Sequence, residues 1–244
     1  MRNFDRVGAG VLGLFLGLMP VVWADSGTAP GHSQDGGNQL MKGAVHWYEK
    51  AAETVGPVEG LAGAGRALTL QPGSFLYIEG GSTLHSYQMA AKALKGSAQL
   101  KGSAPHSLVT ALQTGQVKAM TLVIPLKTLN SRDAGLDKNA YQALEAKDYP
   151  EIKFELTSET LTAGADPESY VMTARGIVTV AGQSAPVTLT ADTTFQNDQA
   201  RLKGVQKLKM TDFKITPPKM SILFVTVICT DEIEIHYDVI LGAK

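Results

Sequence analysis

The chain has 244 residues, 44% of them hydrophobic, and its 22 basic and 23 acidic residues give a formal net charge of −1. This length suits one barrel-type domain with appendages, and the hydrophobic content is ample for a buried core. Because the charges nearly balance and no dense basic run occurs, binding to a phosphate backbone is not indicated. Nucleic acid is therefore not an expected partner.

The N-terminus predicts a secretory signal peptide over residues 1–24. Arg2 and Arg6 precede an apolar run from Val7 to Val22, and modest or small residues lead to a cleavage site after Ala24. An uncleaved membrane anchor is the competing interpretation, but the run is shorter than the roughly 20 residues of a spanning helix and contains glycine and proline. We expect an exported protein, periplasmic or secreted, with no transmembrane anchor after cleavage.

Residues 25–65 predict a flexible leader followed by a short amphipathic helix. Asp25 to Asn38 is rich in glycine, serine and other polar residues, whereas Gln39 to Thr54 has helical periodicity and ends before Gly56-Pro57. Acidic and basic residues balance on this helix, which favours packing against the main domain over binding to a membrane surface.

From residue 66 to residue 244 the hydrophobic period changes to two, which predicts antiparallel strands separated by polar turns. Glu232 to Leu241 shows the cleanest alternation in the chain. Asp137 to Leu144 is the exception, because this segment predicts a short helix with Asp137 as its N-cap and Tyr149-Pro150 as its stop. The prediction is an all-β domain with one short helix between strands and an N-terminal helical extension.

A sheet of many strands with little helix to cover it has edge strands whose backbone groups are unpaired. Closure into a barrel of about eight strands removes these edges. Strand parity then gives a predicted inward set that is apolar almost throughout. Its members are Leu76, Ile78, Met120, Leu122, Ile152, Phe154, Met172, Val178, Val180, Leu189, Ile235 and Tyr237. Such an interior is either a plain packed core, which composition alone favours, or the wall of a ligand cavity.

The chemistry-bearing residues predict neither a metal site nor a cofactor. Cys229, the single cysteine, lies in the apolar run SILFVTVIC and is interpreted as a small buried hydrophobe. No CxxC, HExxH, GxSxG or glycine-rich phosphate loop occurs, so the sequence lacks the parts of a hydrolase or a nucleotide enzyme.

Four segments, taken in order, resemble the YceI-like family of secreted lipid-binding barrels, from about Ser74 to Leu241. They are Ser82-Thr83-Leu84-His85-Ser86, Ser131-Arg132-Asp133 with the helix to Tyr149-Pro150, Gly176 to Gly182 with Pro186-Val187, and Met210-Thr211-Asp212-Phe213. This resemblance implies a lipocalin-like barrel whose elongated lumen holds an isoprenoid or similar long-chain amphiphile. Two departures are Lys214, where many relatives have glycine, and the unusually apolar run from Met220 to Cys229.

The resemblance turns the interior prediction from a packed core into a ligand cavity. We add His85 and Phe213 to the predicted ligand contacts. For His85 and Arg132-Asp133 the functional hypothesis is headgroup contact at a barrel mouth or acid–base work. The favoured interpretation is structural, with His85 paired to backbone at a strand start and Arg132 paired to Asp133 or a nearby carboxylate in a loop. The leading hypothesis is a carrier or reservoir for a lipid, without catalysis and with homodimerisation left open. The alternatives are an enzyme acting on a lipid or quinone-type substrate in the same cavity and a ligand-free envelope-stress or interaction module.

Overall fold

A computed structural model describes residues 53–54, 66–102, 107–222 and 224–243, and antiparallel strands dominate it. The helical elements are α1 (Leu108–Gln113), α2 (Ala134–Ala143) and the two 3₁₀ turns η1 (Leu126–Thr128) and η2 (Met210–Phe213). The strands are β1 (Glu53–Thr54), β2 (Ala67–Leu70), β3 (Phe75–Ser82), β4 (Ser86–Ala91), β5 (Ala93–Leu100), β6 (Val117–Pro125), β7 (Leu129–Asn130), β8 (Glu151–Ala163), β9 (Ser169–Val180), β10 (Gln183–Gln196), β11 (Gln199–Lys209), β12 (Lys219–Ile222) and β13 (Val225–Ala243).

Eight of these strands close into an antiparallel barrel, as the sequence predicts. The pairing order runs β5-β6-β8-β9-β10-β11-β13, and β2 completes the ring because it pairs with both β13 and β5. Strands β3 and β4 continue β2 and β5 beyond short breaks and pair with each other. Closure removes the exposed edges that an open sheet would present.

The register of the final strand shows how the barrel interior is assembled. Ile235 of β13 lies opposite Gln206 of β11 on one side and opposite Ile78 of β3 on the other. Directly opposed residues share a face of the sheet, so these three side chains point into the barrel together. The acidic and polar residues that alternate with Ile235 in β13 consequently point outward.

Helix α1 closes one end of the barrel, which we call the α1 end. Leu108, Ala111 and Leu112 are buried, and the helix contacts both β8 and β11. The sequence analysis did not predict this six-residue helix. The opposite end, which we call the rim, carries the β3–β4 and β9–β10 turns.

Helix α2 confirms the predicted helix but corrects its start. Its N-cap is Asp133, whose Oδ1 accepts hydrogen bonds from the backbone N–H groups of Gly135 and Leu136 at 2.7 and 2.9 Å. Asp137 is wrong as the predicted N-cap. It lies in the first turn, buried, and accepts from the Asn130 amide and from the backbone and hydroxyl of Ser131 at 2.6–2.7 Å.

One part of the wall is not held by backbone pairing. Strands β10 and β11 pair only from Asp192↔Lys203 to Gln196↔Gln199, near the α1 end. Towards the rim, residues 183–191 of β10 and 204–209 of β11 have no ladder between them within the described strands, and we call this stretch the seam. Phe213, the last residue of η2, and Ile215 are buried in one hydrophobic cluster with Val187 of β10. This cluster lies beside the seam.

The apolar run noted in the sequence forms part of a hairpin of β12 and β13. Phe224 at its tip is fully exposed, and Met220 and Ile228 are each 38% exposed. Among the described residues no helix is long and apolar enough to cross a membrane. The predicted signal peptide (1–24) lies outside the described residues, and so does most of the predicted 25–65 extension. Of this extension the structure describes only Glu53 and Thr54, which pair in parallel with β5.

We predict that Asp137→Ala destabilises the protein by about 2–3 kcal/mol, because it removes a buried acceptor and leaves the Asn130 and Ser131 donors unpaired. Asp148→Ala is the matched control, since Asp148 is exposed just beyond the same helix and should change stability by less than about 0.5 kcal/mol. Urea unfolding of both variants measures the difference. Equal stability of the two variants would contradict the structural role assigned to Asp137.

Candidate functional site

An apolar cavity occupies the barrel interior. Its enclosed space is about 130 Å³, and the void reaches about 990 Å³ when the space open to solvent is included. The wall is formed by Leu76, Ile78, Met120, Leu122, Ile124, Ile152, Phe154, Met172, Ala174, Val178, Leu189, Ala191, Leu202, Gln206, Leu208, Ile235, Tyr237 and Val239. The interior is therefore not filled completely by the protein's own side chains.

Most of the residues predicted from strand parity lie on this wall. These are Leu76, Ile78, Met120, Leu122, Ile152, Phe154, Met172, Val178, Leu189, Ile235 and Tyr237. Val180 and Phe213 instead belong to the buried cluster beside the seam, and His85 lies in the exposed β3–β4 turn. Contact of any of these residues with a ligand stays a prediction.

The wall also contains residues that the sequence analysis did not select. Ile124, Ala174, Ala191 and Val239 continue the parity of selected neighbours in their strands. On β11, Leu202, Gln206 and Leu208 point inward while the lysines between them point outward. The alternating lysines were the available signal, but Gly204 and Gln206 interrupt the apolar pattern on the inner face.

Tyr237 contributes one of two polar groups on the wall. Its hydroxyl donates to the backbone oxygen of Thr190 at 2.9 Å, across the point where the seam begins. Gly204 permits this contact, because a Cβ there would lie against the Tyr237 hydroxyl and 2.5 Å from the Thr190 oxygen. Burial, aided by the charge of Asp192, raises the pKa of Tyr237 to about 12, so the hydroxyl stays protonated.

Gln206 contributes the second polar group, at the rim. Its side chain is half-buried and its Nε2 donates to the backbone oxygen of Lys207 at 2.9 Å. Neither Oε1 nor the second amide hydrogen has a hydrogen-bond partner among the described residues. The remaining wall residues are hydrocarbon or thioether side chains, so the wall carries no charge.

A separate void of about 20 Å³ lies at the α1 end, between Leu108, Leu112 and Glu159. The Glu159 carboxylate accepts from the backbone N–H of Val117 at 3.2 Å. Burial raises the pKa of this carboxyl, and the Val117 hydrogen bond opposes the rise. The group therefore completes backbone pairing at this end. Within the described ranges no set of three histidine, cysteine or acidic residues could hold a metal ion.

The other polar candidates have structural partners. The backbone oxygen of His85 accepts from the N–H and hydroxyl of Ser82 at 2.9 and 2.8 Å, which fixes the β3–β4 turn. Asp133 caps α2, as described above. Cys229 is half-buried, and burial raises the pKa of its thiol while a hydrogen bond with Tyr87 opposes the rise. These contacts place His85 and Asp133 in turns rather than at the cavity.

Asp231 of β13 anchors η2 beside the seam. Its carboxylate accepts from the hydroxyl and the backbone N–H of Thr211 at 2.7 and 2.9 Å. These two bonds, the hydroxyl bond first, lower the pKa of Asp231 below its ordinary value. A carboxyl with a lowered folded-state pKa stabilises the fold above its unfolded pKa, and this contribution is lost as the pH falls through the folded value.

Comparison with known proteins identifies the same barrel. The sequence model described as "YceI-like domain" matches residues 81–241, about two thirds of the chain. BcnA of Burkholderia cenocepacia is similar in structure, with a TM-score of 0.53 and 16% identity over 68% of this chain and 95% of BcnA. A polyisoprenoid binding domain from Saccharophagus degradans gives a TM-score of 0.53 and 11% identity over 73% and 99% of the two chains. No curated protein shows a significant match.

We predict that acidification from pH 6 to below the ordinary aspartate pKa of about 3.9 loosens η2 in the wild-type protein, because protonation of Asp231 removes its charge-assisted bonds to Thr211. Native-state hydrogen exchange, expressed as protection factors because the intrinsic exchange rate itself falls on acidification, should show a loss of protection at residues 211–213 over this range. In Asp231→Asn these amides should exchange faster already at pH 6 and change less on acidification. An unchanged exchange rate in the variant at pH 6 would rule out the anchoring role.

Proposed function

The chain belongs to the YceI-like domain family, and from this premise we propose that it is an exported lipid-binding protein that encloses the apolar chain of an isoprenoid-like amphiphile. The observation that carries the proposal is the uncharged, almost wholly apolar wall around the barrel interior. The name of the Saccharophagus degradans domain, which is described as polyisoprenoid-binding, supports this class of ligand.

Burial of hydrocarbon supplies the binding energy in this proposal. Each methylene group transferred from water to an apolar wall contributes about 0.8 kcal/mol, before the cost of immobilising the chain is subtracted. A ligand with several isoprene units therefore needs no strong polar contact. Polar groups at the rim would serve selectivity more than strength.

The enclosed volume limits how such a ligand is held. At about 130 Å³ it is close to the engineered cavity of about 150 Å³ that takes up a benzene molecule. A longer chain requires wall side chains to change rotamer or the seam to widen. Met120 and Met172 on the wall are suited to a change of rotamer, because methionine is unbranched and adapts to irregular spaces.

The positions of the polar residues support a carrier or reservoir rather than an enzyme. Acid–base catalysis needs a titratable group within hydrogen-bond reach of the substrate. On this wall the polar groups are the Gln206 amide, which does not titrate, and the Tyr237 hydroxyl, which is bonded to Thr190. His85, the histidine among the predicted ligand contacts, lies in an exposed turn away from this wall.

We predict that solvent extraction of the protein purified from its native envelope releases an isoprenoid-like lipid that mass spectrometry identifies at near-stoichiometric yield. Leu189→Glu should lower the recovered lipid at least about ten-fold, because it brings a charge to the apolar wall. Thr188→Glu is the control, since Thr188 is the exposed neighbour on the same strand and its variant should retain the lipid. Lipid-free wild-type protein that also fails to take up added isoprenoids would refute the proposal.

We predict that the exported form has lost residues 1–24, because the basic N-terminus, the apolar run and the residues before Ala24 have the pattern of a cleaved signal peptide. Intact mass measurement of the protein from a fractionated cell should find a mature chain beginning at Asp25 in the periplasm or the medium. A full-length chain retained in the membrane fraction would favour the anchor interpretation instead.

A further inference from the structure

The cavity wall combines a hydrocarbon surface with one available amide at the rim. We propose that Gln206 is the specificity-determining residue of the site, and that it selects amphiphiles whose headgroup is uncharged and carries a hydroxyl or carbonyl oxygen. This inference rests on the proposed lipid-binding function and deepens it by naming the chemistry of the headgroup.

Gln206 faces the barrel interior beside the seam. Its register partner Ile235 is on the wall, so its side chain faces the interior, and it lies on the lip of the seam opposite the unpaired part of β10. Gln206, Leu208, Leu189 and Ile78 are all half-buried wall residues, whereas Leu76, Met172 and Val239 are buried. A long ligand with its tail among the buried residues therefore brings its head to Gln206.

The Gln206 amide has hydrogen-bonding capacity that the protein does not use. One N–H of Gln206 is used by the Lys207 carbonyl, which leaves an acceptor oxygen and one donor hydrogen for a ligand. The Tyr237 hydroxyl already donates its hydrogen bond to the backbone oxygen of Thr190. A headgroup hydroxyl or carbonyl thus finds its complement at Gln206, and the bond satisfies an oxygen that would otherwise lose its contact with water.

The charges near Gln206 disfavour a diphosphate headgroup. The wall carries no cation. The nearest lysine in sequence, Lys207, points outward and is held by the carboxylates of Glu232 and Glu234 at 3.1 Å each. A diphosphate held against this wall would lose hydration without gaining a positive partner from the wall itself, which is costly.

Equilibrium dialysis of the purified full-length protein against labelled farnesol, β-farnesene and farnesyl diphosphate tests the inference. All three share a C15 prenyl skeleton, and the last two replace the hydroxyl with no headgroup or with a charged one. We expect wild-type protein to bind farnesol at least about ten-fold more tightly than farnesyl diphosphate. Gln206→Met keeps the side-chain length and should lower the ratio of farnesol to farnesene affinity about five-fold, as expected for one neutral hydrogen bond.

Val205→Met is the matched control, because Val205 is the exposed neighbour on the outer face of the same strand and its variant should keep the wild-type ratio. An unchanged ratio in Gln206→Met, or diphosphate binding as tight as farnesol binding, overturns the inference and leaves the lipid-binding function standing. Failure of the wild-type protein to bind any of the three refutes the proposed function itself, and the inference with it.

Discussion

The two-sided pairing of β13 is the constraint on which the rest of the structure depends. This strand pairs with β11 along one edge and with β2 and β3 along the other, so it closes the barrel and sets the register of both neighbours. A shift of one residue would turn Ile235 and Tyr237 outward and bring their charged neighbours into the interior. The alternation of β13 therefore specifies both closure and an apolar interior.

The alternation of inward and outward side chains along a strand can be read from the sequence of that strand alone. Most of the cavity wall could therefore be predicted from the sequence. Where polar residues mark the outer face, as beside Ile152 and Phe154 in β8, the inner face follows directly. On β11 the same logic holds through its lysines, but Gly204 and Gln206 hide the apolar half of the pattern. Gly204 is present because Tyr237 and Thr190 approach it from other strands, and such a contact cannot be read from β11 alone.

Features that depend on particular side-chain contacts rather than on strand alternation were not predicted. Asp133 and Asp137 are both acceptable N-caps in isolation, and the choice follows from Asn130 and Ser131 using the Asp137 carboxylate. Phe213 matches a family segment, yet it packs beside the seam because β10 and β11 separate there. Lys214, a departure from the family pattern, has a φ of 56° after η2, a left-handed conformation that glycine adopts without steric cost.

The seam relates the small volume of the cavity to the length of the ligand proposed above. The ladder between β9 and β10 is continuous, and the ladder between β8 and β9 is interrupted only by a register shift between Leu156 and Ser158, so opening the wall there would break several backbone hydrogen bonds. At the seam the wall is held by the side-chain packing of Phe213 and Ile215, by the Tyr237–Thr190 bond at its start and by the Asp231 anchor of η2. Side chains can repack without leaving backbone groups unpaired, so expansion costs least on this side. Because Gln206 lies on the same lip, the part of the wall that is easiest to widen is also the part that offers a polar contact.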